Sequence, residues 1–389
     1  MAGRGLIILF CTVTQRYHGF DALRGLIMIL MAIDHSSAFV SREHGSEWWA
    51  GAMSSYSDGG VFLTRWITHL CAPGFFFLMG AGICWFAESR RKAGWDEGRF
   101  AGRVALRGLA LLALAQLFEA PMMFLQGQLK GPTAPLIRVT APPPIDGSEL
   151  YWGLITLSGL GMVMVACAGL LRLPRWTWWA ALGASVFATN TLLPASGKPG
   201  PLWLTVLLAP GLSEHVIVIY PLIPWLGAAA GGMLFAGWWQ RDPEHAGRRL
   251  VWLALGLVAL ACVLRLGGGW GNIRPPRDTG WIEFLNNVKY PPSLVFLSMS
   301  IGIDLLLLAG LLRVSERSPL LVYGQTPLFF YFAHFLSFTV LGFLLFREPG
   351  TIAHVYAVWA AVVVALYPAC VWYRRFKLSK TPESLWRMF

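Results

Sequence analysis

The sequence has little charge. Asp, Glu, Lys and Arg make up 13% of its 389 residues, about half the share of an ordinary globular domain, which excludes a solvated polar surface on all sides. Its six cysteines, Cys11, Cys71, Cys84, Cys167, Cys262 and Cys370, are scattered and form no C-x-x-C pair, so neither a disulfide framework nor a zinc site is indicated. No H-E-x-x-H or H-x-x-x-H pair occurs, and no metal is expected. An internal repeat strong enough to suggest a transporter built from inverted halves is also lacking. The apolar stretch 5–13 is too short to span a bilayer and no small-residue cleavage site follows it. It reads as an interfacial segment rather than a signal peptide.

What remains is apolar: 56% of the chain is hydrophobic. Runs of roughly 20 apolar residues, the length that crosses a bilayer as a helix, fall at 23–40, 61–86, 104–125, 151–171, 176–193, 216–238, 250–266, 293–312, 320–346 and 352–372. The expected fold is all-α, a polytopic integral membrane protein of about ten transmembrane helices. Lys and Arg concentrate in alternate short loops, around Arg90, Arg91, Lys92, Arg99 and Arg103, at Arg172/Arg175, Arg241/Arg248/Arg249 and Arg313/Arg317, and in the tail from Arg374. By the positive-inside rule these loops and both termini are cytoplasmic. The division expected is a short segment 1–15, a membrane domain 16–373 and a basic tail 374–389. The net charge of +11 then follows from topology and attraction to anionic membrane lipids, with no need of nucleic acid. Two long Pro/Gly-rich loops, 126–149 and 267–292, lie on the opposite side and are either lids over a site or plain connectors.

Ionisable groups inside spans are costly, which makes them functional candidates. Arg16, Asp21 and Arg24 stand at the cytoplasmic end of the first span. Asp34 and His35 lie in its outer half, His35 about 21 Å from Asp21 at 1.5 Å per residue. The returning span carries Arg65 and His69 four residues apart, on one face and at similar depth, as a mutually paired buried cluster requires. Gln116 and Glu119 add an outer-half pair. The ninth span brings His334 to mid-depth, with Tyr331 on its face. Pro73 and Pro327 each remove a backbone donor inside a span, so a kink is expected at both. His69 or His334 alone is as readily a packing residue as a functional one, and Arg107 reads as a snorkelling side chain.

The run Arg16-x4-Asp21-x2-Arg24-Gly25 followed by His35 resembles the first-helix signature of the transmembrane acyltransferase superfamily. The segments Thr64-Arg-Trp-Ile-Thr-His69-Leu-Cys-Ala-Pro73-Gly-Phe-Phe-Phe-Leu-Met-Gly80 and Tyr323-Gly-Gln-Thr-Pro327-Leu-Phe-Phe-Tyr-Phe-Ala-His334 resemble a narrower group, bacterial membrane proteins related to the catalytic domain of heparan-alpha-glucosaminide N-acetyltransferase. The resemblance implies an enzyme of the bacterial cytoplasmic (inner) membrane that takes an acetyl group from cytosolic acetyl-CoA and moves it to a hydroxyl or amine of an envelope sugar or other small acceptor at the outer side. On this reading Arg90, Arg91, Lys92, Arg99 and Arg103, with Arg16, Asp21 and Arg24 at the mouth, hold the nucleotide phosphates. His35 is the base, or the carrier of an acetyl-histidine intermediate, Asp34 or another acid orients it, and Arg65 or His69 stabilises the oxyanion, with His334 also in the catalytic group. His44, in the loop after the first span, is the rival base. A homodimer is left open. The physics of buried charge equally fits a second class, a transporter or flippase using the same His/Asp/Arg cluster for proton coupling or anion binding.

Overall fold

The computed structural model describes residues 2–42, 47–50, 53–56, 58–129, 152–194, 200–213, 215–346, 348–381 and 384–387, and the side chains of these except 2–17, 124, 126–129 and 385. The helices are α1 (Ala2–Val40), α2 (Gly59–Ile67), α3 (Cys71–Lys92), α4 (Glu97–Leu114), α5 (Ala120–Leu129), α6 (Thr156–Leu170), α7 (Thr177–Thr191) and α8 (Leu202–Leu207). They continue with α9 (Leu222–Arg241), α10 (Pro243–Gly267), α11 (Trp281–Leu285), α12 (Leu294–Leu311), α13 (Pro319–Gln325), α14 (Pro327–Leu345) and α15 (Ile352–Leu378). Eight continuous or near-continuous helical stretches among the described residues are long and apolar enough to cross a membrane, and α6 is a shorter apolar helix. The chain is an all-α polytopic membrane protein.

Three expected boundaries move. The stretch 5–13 is not a separate element, because its backbone continues the helix of α1. The span expected from 216 begins instead at Leu222: Val216–Val218 form a strand, β3, which pairs in parallel with β1 (Trp152–Leu154) and antiparallel with β2 (Gly211–Ser213). The β-branched run of Val216, Ile217, Val218 and Ile219 favours extended backbone, and Pro221 sets the helix start. The span expected from 151 likewise begins as a strand, β1, drawn into extended backbone by its pairing with β3, and its helix starts at Thr156.

Both proline breaks are present. Pro73 cannot donate to the carbonyl four residues back, that of His69, and the helix tightens there into a 3₁₀ turn, Thr68–Leu70, between α2 and α3. Pro327 likewise separates α13 from α14 at Thr326. A third break was not expected. Pro121 has no N–H for Leu117, and the chain widens into a π turn at Ala115–Glu119.

The helices α1, α3, α12, α13, α14 and α15 surround the buried centre, with α1 touching all the others. Contact between α1 and α13 is closest where Gly25 faces Leu320 and Gly324 faces Asp21. A Cβ on either glycine would run into the facing backbone carbonyl, so small residues set this crossing as they do in other membrane helix pairs.

The 267–292 loop is an ordered lid. Arg265, 1% exposed, donates to the carbonyls of Phe284, Arg274, Glu283 and Asn286 and to Asn272 Oδ1, and so gathers the loop around one guanidinium. The loop then locks onto the segment after α1. Lys289 and Tyr290 N–H both donate to the Glu47 carbonyl, and Trp49 N–H donates to the Tyr290 carbonyl. The other long loop, 126–149, lies outside the described residues apart from the helical backbone of 126–129.

Candidate functional site

Beneath this lid the polar groups of four segments converge. Arg65, near the end of α2, is 6% exposed and Glu47 is fully buried. Arg65 Nε donates to Glu47 Oε1 at 2.9 Å and Nη2 to Oε2 at 2.6 Å. This is the two-pronged fork that suits a guanidinium to a carboxylate. The third prong, Nη1, donates to Asp34 Oδ1 on α1. His69, held in the 3₁₀ turn, brings Nε2 to 3.3 Å from Glu47 Oε1, at an angle short of a directed hydrogen bond. Burial alone would raise the Glu47 carboxyl, but Arg65 and His69 outweigh it and hold it well below the ordinary carboxylate value. Two carboxylates thus face one guanidinium, and the remaining buried cation nearby is Lys289, 3% exposed. Its ammonium lies 5.1 Å from the ring of Tyr290 and has no carboxylate partner among the described residues. It is close enough to act electrostatically on His35, His69 and Cys71.

One residue on from Asp34, His35 meets α14. His35 Nδ1 lies 2.8 Å from His334 Nε2, and His334 Nδ1 lies 2.6 Å from the Phe330 carbonyl. A carbonyl only accepts, so His334 Nδ1 carries the proton, and in the neutral ring its Nε2 is the acceptor. His35 Nδ1 therefore donates, and the lone pair of His35 is left on Nε2. His334 is fully buried whereas His35 keeps 9% exposure, so His35 is the more accessible member of the pair. Phe335, Phe330 and Phe338 pack on the two rings at centroid distances of 4.7, 4.8 and 5.7 Å. Beside them Tyr331 donates to Glu119 Oε1 at 2.5 Å. The π turn aims Glu119 at the start of α6, where its other oxygen accepts the Leu157 N–H at 3.0 Å. Gln116 bonds the Gly153 carbonyl and Ser158. The Glu119–Gln116 pair is thereby committed to joining α6 and α14.

The residues expected at the inner mouth form two groups. Arg24 Nη1 bonds Asp21 at 3.0 Å and the Gly324 carbonyl at 3.1 Å. Asp21 also accepts from Gln325, whose carbonyl takes the Lys377 ammonium at 3.1 Å. Arg107 acts electrostatically on both Lys377 and Arg24, so the Arg107 side chain belongs to this basic mouth. The second group sits at the α3–α4 turn. There Arg91 pairs with Glu97 at 3.0 Å and Lys92 with Glu88 at 3.6 Å. Arg90 and Arg99 lie over Trp95 at 5.1 and 4.2 Å, and Arg103 donates to the Ser384 carbonyl. The Arg16 side chain and all of His44 lie outside the described residues.

Sequence reasoning missed three buried groups. Glu47 and Lys289 sit in loops, where Glu47 reads only as loop charge and Lys289 draws no notice. Asp304, on α12, is 2% exposed with neither oxygen hydrogen-bonded among the described residues, against Gly74 and Ile27. An acid in the middle of the apolar run 293–312 was its signal.

The fold and the site together define a polytopic membrane protein whose centre holds a hydrogen-bonded histidine pair beside a buried cluster of carboxylates and cations. A family model described as "Heparan-alpha-glucosaminide N-acetyltransferase, catalytic" matches residues 16–264, and the chain belongs to that family. Membership gives it a membrane acyltransferase type of function, as the motifs implied. The matched segment contains Asp34, His35, Glu47, Arg65 and His69 but ends before Lys289 and His334. No curated protein matches the chain.

Proposed function

We propose that the protein takes an acetyl group from cytosolic acetyl-CoA and transfers it to a hydroxyl or amine of a carbohydrate or other small acceptor that enters from the lid side. The observation that carries this reading is the His35–His334 pair, which leaves a single lone pair on His35 Nε2 as a base. The basic mouth of Arg24, Arg107 and Lys377, with the arginines of the α3–α4 turn, holds the nucleotide phosphates by charge-assisted bonds. The pantetheine arm covers the roughly 21 Å between Asp21 and His35. His35 Nε2 takes the proton of the acceptor O–H or N–H as that atom attacks the thioester carbonyl, and His334 Nε2 accepts from Nδ1 of the resulting imidazolium. Collapse of the tetrahedral intermediate breaks the C–S bond, and the proton passes from His35 to the departing thiolate. Arg65, each of whose three nitrogens already donates to Glu47 or Asp34, serves as the brace of the site. Lys289 is the cation left to face the oxyanion.

The test is acetyl transfer by purified protein in lipid nanodiscs, with radiolabelled acetyl-CoA on one side and a panel of amino sugars and sugar alcohols on the other. His35→Ala is expected to lose ~10²- to 10⁴-fold in kcat, the range of a general base, while eluting as folded protein. Wild-type rates in His35→Ala would refute the assignment of the base. Proton-driven uptake of solute by protein that never consumes acetyl-CoA would refute the reaction.

A further inference from the structure

Helix α7 packs on α9 and α10 packs on α12, but α9 and α10 barely meet. The gap between the two pairs is a crevice of about 830 Å³. Its walls are apolar, with Phe77, Trp178, Leu182, Leu257, Leu297 and Ile301 among them. Toward the lid it is closed by bonds across its end, from Leu294 N–H to Asn190 and from Trp270 to Thr191. At the opposite end Arg91, Arg175 and Arg241 line it.

These arginines are not equivalent. Arg91 is paired with Glu97. Arg175 and Arg241 have no carboxylate partner among the described residues, and Asp242, next to Arg241, is taken by Arg249 and His245 at 2.9 Å each. The Arg175 guanidinium lies against Gly237 of α9, where an added Cβ would come within 3.4 Å of it. Gly237 is one turn before Arg241 and on the same face of the helix. Two guanidinium groups with no carboxylate partner among the described residues therefore line the same end of an apolar slot. Trp176 and Trp179, each 66% exposed, flank them in the way that indoles mark the headgroup level. From Gly227 to Arg241, both in the wall, the slot runs ~21 Å along α9, longer than the ~15 Å of one leaflet's hydrocarbon.

An apolar slot long enough for one leaflet's acyl chains, with two arginines lining its end at headgroup level, has the chemistry of one ligand. We propose that the crevice holds an anionic phospholipid, its phosphate on Arg175 and Arg241 and its acyl chains wedged between the α7/α9 and α10/α12 pairs. The lipid fills a gap that the protein's own side chains leave open, and so joins the two helix pairs. This inference does not rest on acyl transfer.

The probe is native mass spectrometry of the full chain, released from nanodiscs of phosphatidylglycerol and phosphatidylcholine in equal parts. Wild type is expected to retain one phosphatidylglycerol per chain in preference to phosphatidylcholine. The double variant Arg175→Ala/Arg241→Ala is expected to bind phosphatidylglycerol roughly 30-fold more weakly, about 5-fold per arginine. Arg175→Lys/Arg241→Lys keeps the charge and the retention, and provides the comparison should the alanine variant fold poorly. Leu257→Trp, which fills the slot, is expected to expel the lipid with both arginines intact. Equal retention of the two lipids, or no retained lipid, would overturn the proposal. So would a dimer that excludes lipid and that Trp179→Arg dissociates, since a second copy would then be the occupant.

Discussion

Replacing Arg65 by Met tests whether the cluster is a braced unit. The guanidinium makes three directed bonds to two carboxylates, of which Glu47 is fully buried and the Asp34 side chain is 15% exposed. If these were ordinary intramembrane hydrogen bonds of ~0.6 kcal/mol, the loss of three would cost about 2 kcal/mol. If instead the variant strands buried charge, the cost is that of breaking a buried ion pair, about 3–5 kcal/mol. The geometry favours the larger figure, because Lys289 is not within ion-pair distance of either carboxylate and cannot take over. Arg65→Lys restores the charge without the fork, and an intermediate loss is expected. The triple variant Asp34→Asn/Glu47→Gln/Arg65→Met, which removes charge and counter-charge together, should return to within ~2 kcal/mol of wild type. Unfolding by dodecyl sulfate in mixed micelles, followed by the fluorescence of the 19 tryptophans, reads all three. Arg65→Met within ~1 kcal/mol of wild type, or a triple variant less stable than Arg65→Met, would show that the charges are not coupled as the geometry requires.

The same cluster sets a pH limit. Arg65 and His69 hold the folded Glu47 carboxyl well below its ordinary value of 4.5. A depressed folded value contributes stability that is fully present above about pH 4.5 and is lost as pH falls through the folded value. Wild type is therefore expected to lose stability below pH 4.5 more steeply than Glu47→Gln in parallel melts, and identical acid limbs would refute this. At the α1–α13 crossing, Gly25→Ala and Gly324→Ala each push a methyl into a backbone carbonyl. A loss of ~1–3 kcal/mol, typical of overpacking, is expected for each. The crossing also anchors Arg24 on the Gly324 carbonyl, so weaker protection by acetyl-CoA in thermal melts should accompany it.

The parts of this protein legible in its sequence are those governed by helix periodicity and by the cost of charge in lipid. Arg65 and His69, four residues apart, were expected to share a face, and both approach Glu47. Asp34 and Arg65 were placed at one depth from two antiparallel spans, and they pair. His35 and His334 were each singled out, but nothing local to 35 or 334 says that two rings 299 positions apart meet at 2.8 Å. That contact depends on how far α14 advances after its break at Thr326, which is set by packing against α1. The strand at 216–218 was absorbed into a span because hydropathy counts apolar residues without asking whether they are β-branched, and the strand at 152–154 because its extended backbone comes from pairing with 216–218, which is not local to it.

Glu47 and Lys289 were illegible for a different reason. A charge in a loop between spans is assigned to water by default, so Glu47 bore only on orientation and Lys289 on nothing. Yet Arg274, Arg277 and Lys289 all fall on a side that the positive-inside rule should leave poor in cations. Arg277 is answered within its loop by Glu283 at 2.6 Å, whereas Lys289 is folded beneath the lid by two backbone bonds to the Glu47 carbonyl. Those two bonds fix the unpaired ammonium and the carboxylate that holds Arg65 in one movement. The lid thus completes the charge balance of the cluster, two carboxylates against Arg65 and Lys289, and a lid that opened would carry away Lys289 while Glu47 stayed on Arg65. The buried site would then be left with two carboxylates against one guanidinium, a net negative charge that favours the closed lid.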